Sequence, residues 1–166
     1  MSKTTKNLHS AFAGESQANR KYLAFAKKAE NEGRPGIAKL FRVAAEGETV
    51  HALGHLQALG EVKDTVDNLR SAVSGETCEI NTMYPQFISV SQEEKEAVAE
   101  VSFKQALSVE MIHQKLFREA LKKIEAGSDL VEMDYYTCPI CGYPAISDAP
   151  DFCPICHAPK DKFQKI

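Results

Sequence analysis

The sequence predicts a mainly α protein: an antiparallel four-helix bundle followed by a small C-terminal metal-binding domain of short β strands and knuckles. Three observations predict it. Glu48-Thr49-Val50-His51 and Glu110-Met111-Ile112-His113 are two copies of Glu-x-x-His in helix-favouring stretches. Each follows a Gly-Glu pair; Gly14 and Gly75 are 61 positions apart and Glu48 and Glu110 are 62, so one helical hairpin occurs twice. Four of the five cysteines lie in the last 29 residues.

Residues 4–32 carry Leu8, Phe12, Tyr22, Leu23, Phe25 and Ala26 at the spacing of an amphipathic helix. Gly33-Arg34-Pro35-Gly36 is a turn, and a second helix is expected over Pro35–Leu59, with Pro35 suited to its first turn and Gly60 to its stop. A third is expected over Thr65–Ile88, where β-branched residues and Pro85 weaken the pattern and Tyr84-Pro85 marks a kink or a new turn. Ser91-Gln92-Glu93-Glu94 reads as a capping box for the fourth helix, which ends near Glu125 at Gly127. Such helices of roughly 25–30 residues are about 40–45 Å long, a reasonable bundle length. The texture changes between Gly127 and Tyr136, where helical periodicity gives way to prolines and cysteine pairs, dividing the chain into 1–130 and 131–166. The tail is too small to build a core without a metal staple.

A net charge of −3 points to no nucleic-acid partner and no anionic membrane surface. No apolar run reaches the roughly 18–20 residues that span a bilayer. Met1–Lys6 lacks the apolar core of a secretory signal, so a cytoplasmic location is expected. In a reducing compartment the clustered cysteines read as metal ligands rather than disulfides.

Residues three apart on a helix share a face, so each Glu-x-x-His can turn a carboxylate and an imidazole inward together. Glu15 from the first helix, Glu48 and His51 from the second, Glu76 and Glu79 from the third, and Glu110 and His113 from the fourth form the donor set of a two-metal carboxylate site. Five inward carboxylates are prohibitive in an apolar core without cations, and two divalent ions restore the balance. Carboxylate and imidazole suit iron or manganese. Tyr22 and Tyr84 follow Glu15 and Glu76 by seven and eight positions, and spacing alone leaves them either lining the site or filling the core. His55 lacks a counterpart in the second half and is left at the surface or behind the ligands; His9, Glu46 and Glu119 are expected outside the site, and Cys78 as a buried, inert thiol.

Cys138-Pro139-Ile140-Cys141 and Cys153-Pro154-Ile155-Cys156 are two Cys-x-x-Cys knuckles that hold one tetrahedral metal. The cysteines alone leave a structural zinc ribbon open; an attached redox bundle favours iron. Gly142 lets backbone N–H groups approach the sulfurs, and His157 is expected to be exposed.

Together Ala13-Gly14-Glu15-Ser16-Gln17-Ala18, the two Glu-x-x-His motifs, Gly75-Glu76-x-x-Glu79 with Met83-Tyr84-Pro85, and the knuckles resemble the rubrerythrin family over nearly the whole chain. The resemblance implies a ferritin-like bundle with a rubredoxin-like domain. It implies two irons, oxo- or hydroxo-bridged when oxidised, on Glu15, Glu48, His51, Glu76, Glu79, Glu110 and His113. It implies one iron on Cys138, Cys141, Cys153 and Cys156, with zinc or manganese able to substitute. Tyr22 and Tyr84 match the family's tyrosines behind the ligands, and one iron is expected to shift between His51 and Glu79 with oxidation state. The chain departs from the family where Glu79-Ile80-Asn81-Thr82 replaces the usual Glu-Tyr-Thr-Glu, so proton delivery is expected to differ.

The function implied is reduction of hydrogen peroxide to water in oxidative-stress defence, with electrons relayed through the mononuclear iron of the four cysteines. The upstream donor would be a reductase or a small redox protein, and the assembly a head-to-tail homodimer. The alternatives are a ferroxidase, oxidase or iron-handling protein, and a non-catalytic scaffold with a zinc ribbon.

Overall fold

Ser2 opens the first helix by accepting a hydrogen bond from the Thr5 N–H at 3.0 Å, and α1 runs over Lys3–Asn31. Gly33, at φ 70°, closes it with its N–H on the Glu30 carbonyl at 2.9 Å. α2 spans Pro35–Leu59 and ends at Gly60, φ 68°, whose N–H reaches the Gln57 carbonyl at 2.9 Å. These bounds agree with the sequence to within a residue or so.

The computed structural model describes residues 1–166 and divides into two compact units, Met1–Lys63 and Asp64–Ile166. The first is the α1–α2 hairpin. Its seam is made of small residues: Ala26 and Ala29 of α1, and Ala38, Ala45 and Ala52 of α2, which recur every seven residues. That spacing keeps one face of α2 turned to α1, and alanine lets the helices approach closely. Asn19, 6% exposed, ties the seam by donating from Nδ2 to the Ala45 carbonyl at 2.7 Å and to Thr49 Oγ1 at 2.8 Å. Leu40, Val43, Val50 and Leu53 remain exposed on α2.

In the second unit Asp64 caps α3, accepting from the Asp67 N–H at 2.9 Å, and α3 covers Thr65–Cys78. A π-helical turn, Glu79–Met83, leads into α4, Tyr84–Glu93. Pro85, which has no N–H to donate, falls in the first turn of α4, just past this change of hydrogen-bond register. The helical path therefore runs to Glu93 rather than Ile88. It stops where Lys95 adopts φ 61° and the Glu96 N–H reaches the Ser91 carbonyl at 2.8 Å. Ser91 consequently does not cap the next helix. It is buried near the end of α4, and its hydroxyl donates back to the Ile88 carbonyl at 2.8 Å. α5, Ala97–Glu125, begins from Glu96 without a side-chain cap and ends before Gly127, φ 78°.

The tail forms a three-stranded antiparallel sheet in the order β2-β1-β3, from β1 Tyr135–Thr137, β2 Pro144–Ile146 and β3 Gln164–Lys165. Tyr136 lies opposite Ala145 on one side and Lys165 on the other. Its core is Cys138, Cys153 and Ala158, packed by Tyr143, Ile155 and Phe163. Two thiols at the centre of so small a core are a weak substitute for large apolar side chains, as expected of a fold stapled by metal. No helix of the chain is long and apolar enough to cross a membrane.

Candidate metal centres

Three groups of side chains converge. In the first hairpin Glu15, Glu48 and His51 bring one ligand atom each within 4.8 Å of one another, as do Glu76, Glu110 and His113 in the second unit. The two groups are copies of one design. His51 Nδ1 lies 3.2 Å from Glu48 Oε2 and 4.0 Å from Glu15 Oε2. His113 Nδ1 lies 2.7 Å from Glu110 Oε2 and 3.8 Å from Glu76 Oε1. In both, the same ring nitrogen turns toward two carboxylates. The first group is the more open: the His51 side chain is 60% exposed, that of His113 33%.

A hydrogen bond with Glu48 raises the Glu15 carboxyl above its ordinary value, helped by burial, and the same bond lowers Glu48. Burial, then the Glu110 carboxylate, pushes the Glu76 carboxyl up to about 7. Burial also raises Glu79, followed by Glu110, and raises the Tyr84 hydroxyl, followed by Glu110, Glu79 and Glu76. Glu76 Oε2 is buried without a hydrogen-bond partner. An orphaned carboxylate oxygen beside a second acid and an imidazole is a donor set that a hard cation satisfies. The residues present therefore fit the metal site the sequence implies.

Glu79 stands outside the tight group of three, at the head of the π-helical turn, although its carboxyl feels both Glu110 and His113. Tyr84 belongs to the same electrostatic neighbourhood. Tyr22 packs with Phe25 and Phe41, at centroid distances of 6.4 and 6.2 Å, and Tyr84 with Phe87 and Phe103, at 6.3 and 6.4 Å. The repeat seen in the ligands thus extends into an aromatic triad, all of whose members are 62 positions apart. His55 acts on the Glu15 carboxyl and so lies close behind the first group. His9 pairs with Glu61 at 3.5 Å, Glu119 with Lys115 at 3.9 Å, and Glu46 is exposed. Cys78 is exposed, contrary to expectation: as the last residue of α3 its side chain stands on the outer face of the helix.

Two clamps beside the ligands go beyond the sequence reading. Gln114, next to His113, donates from Nε2 to Thr77 Oγ1, next to Glu76, at 2.7 Å. Asn19 and Thr49 perform the same service in the first hairpin, where Thr49 adjoins Glu48. The signal in the sequence is a polar residue adjoining the ligands on an otherwise apolar helix face.

The third group is Cys138, Cys141, Cys153 and Cys156. Cys138 Sγ and Cys156 Sγ are 3.5 Å apart, as are Cys141 Sγ and Cys153 Sγ. A tetrahedral metal with bonds of about 2.3 Å to sulfur has edges of about 3.8 Å, so the four thiols fit such an ion. Gly142, φ 86°, and His157, φ 60°, turn the chain back at the two knuckles. Burial raises the Cys141 and Cys156 thiols; in Cys138 burial is outweighed by the N–H groups of Cys141 and Ile140, which hold it below its ordinary value. His157 is exposed, as expected.

The rubrerythrin family model matches residues 6–121, and that of the rubrerythrin rubredoxin-like domain matches residues 136–164. The chain belongs to the rubrerythrin family. It is 36% identical to rubrerythrin-2 of Clostridium acetobutylicum over 175 residues, covering 97% of this chain and 95% of that protein. It is 40% identical to nigerythrin of Nitratidesulfovibrio vulgaris over 177 residues, covering 96% and 85%. A structure of nigerythrin in its fully reduced, all-ferrous state aligns with a TM-score of 0.58 at 33% identity, covering 100% of this chain and 88% of that one. The fold class is the one the sequence predicts: mostly helical, ferritin-like, with a small sheet and a four-cysteine knuckle site. Family membership and the three ligand groups together support an iron-based oxidoreductase of oxidative-stress defence.

Proposed function

We propose that this rubrerythrin-family protein is a non-haem di-iron peroxidase that reduces hydrogen peroxide to water, with electrons relayed through the iron of its four-cysteine site. The observation that carries the reading is the orphaned, buried Glu76 Oε2 amid Glu110, His113 and the additional carboxylate Glu79, on a chain that also carries four convergent cysteines able to hold a metal. Glu15, Glu48 and His51 would hold one metal ion, and Glu76, Glu110 and His113 a second. Glu79 would supply a seventh ligand, the carboxylate that the first hairpin lacks. Bound iron would supply electrons and polarisation for cleaving the O–O bond.

The chain's own residues manage protons. Glu76, whose carboxyl is pushed up to about 7 by burial and then by Glu110 while no metal is bound, would give up that proton on taking a cation. Tyr84, whose hydroxyl is held protonated by burial and three neighbouring acids, offers a hydrogen-bond donor that does not ionise in the working range. Tyr22 takes the corresponding place behind the first group.

We read the assembly as a head-to-tail homodimer in the cytoplasm, served by a reductase or small redox protein. The exposed apolar residues Leu40, Val43, Val50 and Leu53 support burial against further protein. Rapid mixing of the reduced protein with hydrogen peroxide and, separately, with oxygen tests the activity. Faster oxidation by peroxide is expected, and faster oxidation by oxygen would move the assignment to a ferroxidase or oxidase.

A further inference from the structure

The two hairpins repeat one another closely enough for their differences to carry information. Glu48, His51 and His55 stand at the positions of α2 that Glu110, His113 and Phe117 hold in α5, each pair 62 apart. In α5 the ring of Phe117 lies beside the ring of His113, with centroids 6.5 Å apart. In α2 the same place is filled by an imidazole. A second exchange runs the other way. Ala18, three residues after Glu15, stands where the second hairpin has Glu79, three residues after Glu76. The second group therefore has a spare carboxylate beside its three donors, and the first has a spare imidazole. Spacings of three and four put Glu48, His51 and His55 on one stripe of α2. His55 is half-buried there, whereas the His51 side chain is 60% exposed. The Glu15 carboxyl, raised first by its hydrogen bond to Glu48, is drawn down by His51 and by His55, so both imidazoles lie within electrostatic reach of it.

We propose that His55 is a further ligand of the first metal position, joining Glu15, Glu48 and His51 through a ring nitrogen. The inference rests on the two-metal reading above and makes the two positions unequal. His55 stands outside the tight group of three, as Glu79 does in the second hairpin, and binding a cation draws the ring in. The first position then offers two carboxylates and two imidazoles, the second three carboxylates and one imidazole. A neutral donor adds a bond without adding charge. A divalent ion is therefore balanced at the first position, while three carboxylates leave one negative charge in excess at the second. Imidazole suits borderline divalent cations and carboxylate harder ones. The first position accordingly favours a divalent ion, and the second a trivalent one.

The test uses the full chain with zinc in its four-cysteine site, where soft thiolates retain zinc, and loads the bundle with cobalt(II). Each imidazole bound to cobalt gives ring-proton signals shifted far outside the ordinary NMR range. Wild type is expected to show such signals from His51, His55 and His113. His55→Phe places in α2 the residue that α5 carries, keeping the ring and removing the nitrogens. It is expected to lose the His55 signals and to bind cobalt at the first position roughly tenfold or more weakly by calorimetry, with the second position and the helical circular dichroism unchanged. If this variant does not fold, His55→Ala supplies the comparison: added imidazole is expected to restore its affinity, and failure to do so overturns the proposal. Shifted signals from His51 and His113 alone in wild type overturn it as well. Weaker binding by the variant does not rescue it in that case, because His55 then supports Glu15 without touching the metal. A wild-type bundle that binds no cobalt would sink the two-metal reading itself, and the proposal with it.

Discussion

The backbone N–H of Tyr84 donates to the carbonyl of Glu79, five residues back. This is the bond of a π-helical turn, which accommodates one residue more than α-helical spacing. Glu76 and Tyr84 are eight positions apart where Glu15 and Tyr22 are seven, and the turn absorbs the difference. The two aromatic triads can therefore match while the second hairpin gains a carboxylate the first lacks. Ala18, three residues after Glu15, occupies the place that corresponds to Glu79.

Removing Asn81 is predicted to restore continuous α-helix and swing Glu79 off the site. Helical content should hold, while affinity for the metal beside Glu76 falls roughly 10–100-fold. Metal titration followed by calorimetry checks this; unchanged affinity would separate the turn from the site.

Glu76 makes the stability of the metal-free protein fall with pH. Its folded-state carboxyl is raised to about 7, so its favourable contribution is complete below the ordinary value of 4.5 and is lost as pH rises through about 7. At about 1.4 kcal/mol per unit, the loss is on the order of 3 kcal/mol, as an upper figure. Denaturant unfolding at pH 5 and pH 8 should show it, and Glu76→Gln should remove most of it.

Gln114→Ala deletes the 2.7 Å bond to Thr77 that holds α5 against α3 beside two ligands. The expected cost is about 1 kcal/mol in thermal or urea unfolding. Weaker metal retention should accompany it, whereas an exposed control such as Glu119→Ala should change neither.

Gly142→Ala forces a side chain into φ 86°, at a cost of about 1–2 kcal/mol. The added methyl has room, since its nearest neighbour stands at 3.8 Å, so the cost is conformational rather than steric. His157→Gly relieves the same conformation at the second knuckle and should be neutral or stabilising. Loss of the ribbon metal to a chelator, timed for each variant, ranks them.

Much of this is legible in the chain. α1, α2 and the end of α5 follow from Gly33, Pro35, Gly60 and Gly127, because left-handed and ring-locked residues act locally. The Glu-x-x-His and Cys-x-x-Cys pairs that converge in the three groups are legible as spacings of three. The end of α4 does not: Ser91 and Glu94 make a capping pattern, but the left-handed Lys95 and burial of Ser91 decide the matter, and both depend on packing. The π-helical turn is visible only as the slip from seven to eight, which has no meaning until the two hairpins are superposed. Cys78 defeats the sequence reading because burial at a helix end depends on which neighbours cover it.

The central claim is that bundle and ribbon act as one peroxidase, and Cys138→Ser tests it most directly. With a reductant-coupled donor and hydrogen peroxide in excess, consumption of peroxide by this variant is measured against wild type. The account predicts a single initial burst, from electrons already in the bundle, and then arrest while wild type continues. Sustained turnover by the variant would contradict it.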